Sequence, residues 1–185
     1  MSEVSIRRAL PADAHLLSFL AIHTFPLACP PGTSQANIDE FCEKNLSPDA
    51  FTDYLSNPDY RVWVAMNESK AAGYVMSREG EPHDSDIATA VKGRPCTEIS
   101  KIYVQQEFHG TTVASRLLHV VLEDAARREI FSAWLGVNQD NARANRFYER
   151  HGFVVAGTRK FLVGENWEDD FVRERTLAPG LTGNS

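Results

Sequence analysis

The segment "NARANRFYERHGF", residues 141–153, places a phenol where it could act as an acid. Four of its residues are spaced i, i+3, i+4 and i+7 and so share one face of a predicted helix: Ala144, Phe147, Tyr148 and His151. A phenol with its ordinary pKa near 10 is neutral at pH 7 and can donate a proton. Gly152 is expected to end the helix in a left-handed conformation, with Phe153 packed behind it. Taken alone, the segment gives Tyr148 a packing role.

A second candidate is the turn "HGTTVAS", residues 109–115, in front of a long amphipathic stretch. The first backbone N–H groups of a helix have no partner inside the helix, and the helix dipole is positive there. Such a turn can therefore receive a phosphate group. The alternative is that Gly110 only makes a tight turn, and that Thr111 or Thr112 only caps the helix. The chain has neither a G-x-x-x-x-G-K-[ST] loop nor a G-x-G-x-x-G turn after its first strand.

Hydrophobic periodicity predicts the element order β-α-α-α-β-β-β-α-β-α-β-β. The seven strands are predicted in "VSIRRA", "YRVWVAM", "AAGYVMSRE", "TEISKIYV", "FSAWLGV", "FVVAGTRKFLV" and "DDFVRERTL". Residues 80–95 are polar and irregular, which predicts a mobile loop. Mostly antiparallel strands with one β-α-β crossover predict an α/β domain of the α+β type, a mixed sheet flanked by helices. We expect residues 1–177 to form one domain and residues 178–185 to be a disordered tail.

Composition limits the classes of function. The chain has 185 residues, 43% of them hydrophobic and 24% charged, which is typical of a soluble domain. The formal charge of −6 argues weakly against a nucleic-acid partner. We find no apolar run of about 18 residues for a membrane span and no secretory signal, so we expect a cytoplasmic protein. Neither the three cysteines nor the histidines have metal-ligand spacing, so we expect no metal.

Taken together, the strand "IYV", the polar turn, the long helix, the strand "WLGV" and the block N-x-x-A-x-x-F-Y-x-x-x-G-F resemble the GNAT superfamily of acyl-CoA-dependent N-acetyltransferases. The resemblance covers at least residues 98–153, and the predicted element order extends it over nearly the whole chain. It implies the GNAT fold, with the central β-α-β crossover forming the acyl-CoA site, and acetyl-CoA as cosubstrate. Residues 134–177 look most like the PaiA-type bacterial polyamine acetyltransferases, a match that is less specific than the superfamily match.

The family's pyrophosphate motif, Gln/Arg-x-x-Gly-x-Gly/Ala, falls on the polar turn. The resemblance implies cofactor contacts from His109, Gly110, Thr111, Thr112, Val113, Ala114 and Ser115. Ala114 fits the motif, whereas His109 and Thr112 depart from it. Thr112 stands where a Gly lets backbone amides approach phosphates, so its side chain must turn aside or donate its hydroxyl. His109 can donate a hydrogen bond there, but without the permanent charge of Arg.

The resemblance also implies roles in catalysis. Tyr148 resembles the tyrosine that protonates the departing thiolate of coenzyme A, and Glu98 a base that deprotonates the amine, often through water. Asn141 resembles the Asn that contacts the pantetheine arm, although it could equally be a turn or cap residue. The backbone of residues 102–104 (Ile102, Tyr103 and Val104) is expected to pair with the pantetheine amides. Strand alternation predicts two faces: one with Glu98, Ser100, Ile102 and Val104, the other with Ile99, Lys101 and Tyr103.

The acceptor is expected to be a small amine, with a polyamine as the leading candidate. An acidic stretch could meet such a cation: Glu165, Glu168, Asp169 and Asp170. It could equally be a solvated turn. The rival enzymes act on a protein N-terminus, a lysine, an amino acid or an antibiotic amine. The rival of another class is a degenerate domain that only binds acyl-CoA. GNAT-like enzymes are often dimers, so a homodimer is compatible with the sequence.

Overall fold

The structure, a computed structural model, describes residues 4–177, which form seven strands, six α-helices and three short 3-10 helices. The strands are β1 Ser5–Arg8, β2 Tyr60–Asn67, β3 Lys70–Glu79, β4 Cys96–Val104, β5 Ser132–Asn138, β6 Val154–Val163 and β7 Asn166–Thr176. The helices are α1 Ala14–Thr24, α2 Gln35–Asn45, α3 Pro48–Ser56, α4 Ser85–Ala90, α5 Val113–Arg127 and α6 Ala142–Arg150. No helix in this range is long and apolar enough to cross a lipid bilayer.

The strands form one mixed sheet in the order β1-β2-β3-β4-β5-β7-β6. Only β4 and β5 pair in parallel, and α5 makes the crossover between them. This is the predicted α+β architecture, and the predicted element order is confirmed except at one place. The predicted tail, residues 178–185, lies outside the described residues.

The exception is the segment predicted as an irregular loop, residues 80–95. It contains the short helix α4, whose N-cap Asp84 accepts hydrogen bonds from the backbone N–H groups of Asp86 and Ile87. Ile87 is buried against the side chains of Val91 and Trp134. The sequence pattern does not predict this helix, because most of its residues are polar or small and only the Ile87 side chain is buried in the core.

The sheet has a hydrophobic core on each face. On one face the apolar side of α5 packs on the central strands through Leu117, Leu118 and Val121, all fully buried. On the other face α1 and α3 cover β2 and β3, with Leu17 and Phe51 fully buried. Covering both faces leaves the ends and edges of the strands as the places where a ligand can reach the sheet.

A bulge in β4 changes which side chains face which core. Ser100 has no partner on β3, because the register shifts between the residues that face Ile99 and Lys101. Ile99 therefore packs in the same core as Ile102 and Val104. Strict alternation put Ile99 on the opposite face and is wrong here, since one extra residue in a strand reverses the order of the faces.

Strands β4 and β5 part halfway along their length. They are paired only at Cys96↔Ser132, Thr97↔Ala133 and Glu98↔Trp134, at the start of both strands. The second half of β4 has no strand on that side, although β3 still pairs with it on the other side. The result is a wedge-shaped opening between β4 and β5, which we call the cleft. The cleft begins at Glu98 and Trp134, and we call this narrow end the cleft vertex.

Candidate active site

Tyr148 lies on the buried face of α6, as the spacing predicted. Its ring packs edge-on against Phe147 and Phe153 at centroid distances of 5.3 and 5.9 Å. Burial raises its pKa well above the ordinary value for a phenol, so the side chain is neutral at physiological pH. No residue in the described range forms a hydrogen bond with its hydroxyl. Tyr148 thus packs and still has a proton to donate.

Helix α6 ends as predicted, and a buried arginine of β7 fixes its position. Gly152 follows the helix with φ +81°, a left-handed conformation that favours glycine. Arg173, 3% exposed, donates hydrogen bonds to the Asn145 side chain (3.0 Å) and the Phe153 carbonyl (3.3 Å), and one to Glu149 (3.1 Å). These bonds hold the helix, and therefore Tyr148, against the sheet.

The backbone of β4 presents alternate residues to the cleft. The Gln105 N–H bonds to Ala72 on the β3 side, so Tyr103, two residues earlier, also directs its backbone at β3. Ile102 and Val104 consequently direct their N–H and C=O groups the other way, into the cleft. Of the three residues expected to pair with a ligand, Ile102 and Val104 have their backbone groups on the cleft side, and the pairing itself stays a prediction.

The first turn of α5 has two backbone N–H groups without a partner in the described range, those of Ala114 and Ser115. Gly110 has φ +78°, and Thr112 is the N-cap residue although its side chain makes no capping bond. The Thr111 hydroxyl donates to the Phe108 carbonyl (2.6 Å) and accepts a long bond from Val113 N–H (3.4 Å). Three residues of the first turn precede the first helical hydrogen bond, from Arg116 N–H to Thr112 C=O: Val113, Ala114 and Ser115.

Both ring nitrogens of His109 have partners within the protein, and contact of this side chain with a cofactor stays a prediction. Its Nε2 lies 2.9 Å from the Val104 carbonyl oxygen, and its Nδ1 lies 2.8 Å from the Arg143 guanidinium. A carbonyl only accepts and a guanidinium only donates, so the ring is the neutral tautomer with its proton on Nε2. Both nitrogens are in use, and His109 bridges the turn to α6.

Asn141 is the N-cap of α6, one of the two roles left open by the sequence. Its Oδ1 accepts from the Ala144 N–H at 3.0 Å. It also lines an opening between the loop after α1 and the start of α6, together with Cys29, Asn138 and Arg143. Capping is confirmed, and contact with a cofactor stays a prediction.

Glu98, at the cleft vertex, is held by two arginines that the sequence did not single out. Its carboxylate lies 3.3 Å from Arg78 Nε and 4.0 Å from Arg159 NH1. Arg159 also pairs with Asp170 (3.2 Å) and lies over Gly136 of β5. A Cβ on Gly136 would come within 2.2 Å of the guanidinium, so only glycine leaves room for it. A glycine inside a strand is a signal of such a close approach.

Lys101 lies on the face of β4 that is turned towards α3. Its ammonium lies over the ring of Tyr54 at 5.1 Å and forms a long hydrogen bond with the Ser100 hydroxyl (3.4 Å). Burial lowers its pKa to about 8, although the nearby Glu98 charge acts in the opposite direction. A protonated Lys101 therefore costs the folded state free energy at neutral pH.

Stability should for this reason depend on pH through Lys101. Below pH 8 Lys101 is protonated in both the folded and the unfolded chain, so the folded state is destabilised by the full free energy of burying its charge. Between pH 8 and about 10.4, the pKa of an unfolded lysine, the unfolded chain binds more protons and folding gains stability as pH rises. Lys101→Met is expected to raise Tm by about 3 °C at pH 7 and by less at pH 9.5. Thermal unfolding at both pH values checks this, with the exposed Lys44→Met as control; an equal gain at both would contradict it.

The opening between the loop after α1 and the start of α6 is lined by the thiol of Cys29, and the carboxylate of Glu168 lies near that thiol. Burial, and then the charges of Cys42 and Glu168, raise the pKa of Cys29 to about 11, so its thiol is protonated at neutral pH. Glu168 accepts one long hydrogen bond, from Asn138 Nδ2 at 3.5 Å. Within residues 4–177 no cationic side chain pairs with it. The same range contains no group of three or more His, Cys, Asp or Glu residues that could hold a metal ion.

Comparison with solved structures shows the same fold in other proteins. The PaiA N-acetyltransferase from Thermoplasma acidophilum, solved in complex with coenzyme A, has a TM-score of 0.74 at 17% identity, covering 94% of this chain and 99% of that one. The ribosomal-protein-S18-alanine N-acetyltransferase from Escherichia coli has a TM-score of 0.68 at 15% identity, covering 99% and 100%. At these identities the likeness shows the GNAT fold alone.

Sequence comparisons give the family. A protein of Mycobacterium tuberculosis named an uncharacterized N-acetyltransferase is 39% identical over 165 residues, which is 89% of this chain and 98% of that protein. A protein of the same description from Archaeoglobus fulgidus is 31% identical over 94 residues, 51% of this chain and 60% of that protein. The model of the acetyltransferase (GNAT) family matches residues 24–153. The chain therefore belongs to the GNAT family and is an N-acetyltransferase.

Proposed function

We propose that the enzyme transfers an acetyl group from acetyl-CoA to a small primary amine, by direct attack while both substrates are bound. The observation that carries the proposal is the open cleft between β4 and β5, with the neutral phenol of Tyr148 on the helix that follows β5. Proximity of two bound reactants supplies several kcal/mol of the barrier in such a reaction.

The residues present fit coenzyme A. The free amides at the start of α5 suit its phosphates. The N–H and C=O groups of Ile102 and Val104 suit the pantetheine amides, which would extend the sheet as an added strand. One acceptor is already used, since the Val104 carbonyl accepts from His109. The Thr112 hydroxyl has no partner in the described range and suits a phosphate oxygen.

In the proposed reaction the nitrogen lone pair of the neutral amine attacks the thioester carbonyl carbon. The C–N bond forms, the C–S bond breaks, and the sulfur takes the electron pair. The Tyr148 hydroxyl donates its proton to the thiolate, because its raised pKa keeps it protonated at the pH of the reaction. The nitrogen loses a proton to solvent as the amide forms, and the tyrosinate takes a proton back from solvent, which restores Tyr148 for the next turnover. Cys29 is not an acyl carrier in this scheme, since its thiol is protonated at neutral pH.

The amine must lose a proton before it attacks. We assign this step to Glu98, acting through water, because its carboxylate lies at the vertex from which the cleft opens. Arg78 and Arg159 fix the orientation of the carboxylate.

For the acceptor we propose a polyamine. Of the acidic residues predicted to meet it, Asp169 pairs with Lys160 and Asp170 with Arg159. Glu168 has a carboxylate without a cationic partner among the described residues, near Cys29 and beside Asn138 at the end of β5. A second ammonium group of the acceptor could pair with it there.

The test is acetyl-CoA consumption across polyamines, amino acids, aminoglycosides and peptides. We expect polyamines to give the highest kcat/KM. Glu168→Gln should raise KM for a polyamine about tenfold with little change in kcat, since a charged hydrogen bond is lost in binding. The matched control is Glu129→Gln, an exposed carboxylate just after α5 that is not part of the acidic stretch.

Other results would separate the rivals. Higher rates with peptides or amino acids would replace the polyamine by that class. An unchanged KM in Glu168→Gln would remove this residue from acceptor binding. No turnover with any amine, combined with normal acetyl-CoA binding, would favour a domain that only binds acyl-CoA.

A further inference from the structure

We propose that Arg143 of α6 supplies the cation that binds the phosphate groups of coenzyme A, and that His109 holds its guanidinium in place. This inference rests on the proposed function, because it assigns a residue to the cofactor of that reaction. It also gives a reason why this chain has a histidine at position 109, His109, where the family's pyrophosphate motif has Gln or Arg.

The phosphate-binding turn has no cation of its own. Residues 105–115 contain neither Lys nor Arg, and Arg116 donates instead to the Val4 carbonyl at 2.7 Å. The acid in this stretch, Glu107, pairs with Lys70. Backbone amides and the helix dipole are the only positive features that the turn itself provides.

Arg143 lies beside this turn although it is 34 residues from His109 in sequence. Its guanidinium is exposed and contacts the Nδ1 atom of His109 at 2.8 Å. No carboxylate among residues 4–177 pairs with it. A guanidinium without an anion, placed near the positive end of a helix, is electrostatically unfavourable until an anion binds.

His109 sets the position of that charge. Its Nε2–H is anchored to the Val104 carbonyl, which fixes the ring and turns the lone pair of Nδ1 towards Arg143. The imidazole accepts from one N–H of the guanidinium, which leaves the other donors free for phosphate oxygens. Arginine binds phosphate with two parallel hydrogen bonds, which lysine cannot do.

The experiment is calorimetric titration of the full chain with coenzyme A at 50 and 300 mM NaCl. Arg143→Ala should raise Kd about tenfold at low salt, ~1.4 kcal/mol. Its Kd should also depend less on salt than that of the wild type, because fewer ions are released on binding. Arg143→Lys should fall between the two. His109→Ala should weaken binding less than Arg143→Ala, since the positive charge of Arg143 remains and only the hydrogen bond that positions it is lost.

Arg146→Ala is the matched control, an exposed arginine one turn further along α6 that should leave Kd and its salt dependence unchanged. All these side chains lie at the surface or half-buried, so Tm should match that of the wild type. If the wild type binds coenzyme A and Arg143→Ala binds it within twofold, with the same salt dependence, this inference is wrong and the proposed function stands. If the wild type does not bind coenzyme A, both are wrong.

Discussion

Replacing Tyr148 by Phe is expected to lower kcat about 100-fold while Kd for acetyl-CoA stays within twofold of the wild type. The substitution keeps the ring, which packs against Phe147 and Phe153, and removes only the hydroxyl. That hydroxyl has no hydrogen-bond partner in the described range, so its loss leaves no buried group unsatisfied. The variant should consequently fold with the Tm of the wild type.

Steady-state kinetics and calorimetric titration of the purified variant check this prediction. Tyr60→Phe is the matched control, a phenol on β2 next to Tyr54 that should keep full activity. Since burial raises the pKa of Tyr148, the wild-type kcat should also show no loss from tyrosine ionisation up to about pH 10. Full turnover by Tyr148→Phe would remove the residue from the chemistry and leave it a packing role.

The largest effect on stability is expected from Arg173→Met. The substitution roughly keeps the volume and removes the hydrogen bonds to Asn145, Glu149 and the Phe153 carbonyl. Two of those acceptors are then buried without a donor, which costs about 3 kcal/mol of the free energy of unfolding. For a domain of this size that corresponds to a fall in Tm of about 9 °C.

The same change should lower kcat, because Arg173 positions the helix that carries Tyr148. Differential scanning calorimetry and kinetics on one preparation measure both effects. Arg150→Ala, which removes an exposed arginine from the end of α6, is expected to keep the wild-type Tm within about 1 °C. A stable and fully active Arg173→Met variant would show that the hydrogen bonds do not position α6.

The sequence predicted the parts of the site that depend on local rules. The spacing of Ala144, Tyr148 and Gly152 determines which face of α6 is buried and where the helix ends, and both agree with the structure. Helix caps, turns and hydrophobic periodicity depend on residues that are close together in the sequence, so a single segment contains all the information needed to predict them.

The rest depends on contacts between distant segments. The bulge at Ser100 is set by pairing with β3, and alternation along β4 alone cannot reveal it. The bond between His109 and Arg143 joins a turn to a helix that lies after the next strand. Each of these residues has an ordinary local role in its own segment, and only the folded chain brings them to the same cleft.

The most direct test is a crystal structure of the enzyme with coenzyme A. We expect the pantetheine arm to lie between β4 and β5, bonded to the backbone of Ile102 and Val104, with the sulfur within hydrogen-bonding reach of the Tyr148 hydroxyl. Coenzyme A bound outside this cleft, or in the cleft with its sulfur far from Tyr148, would contradict it.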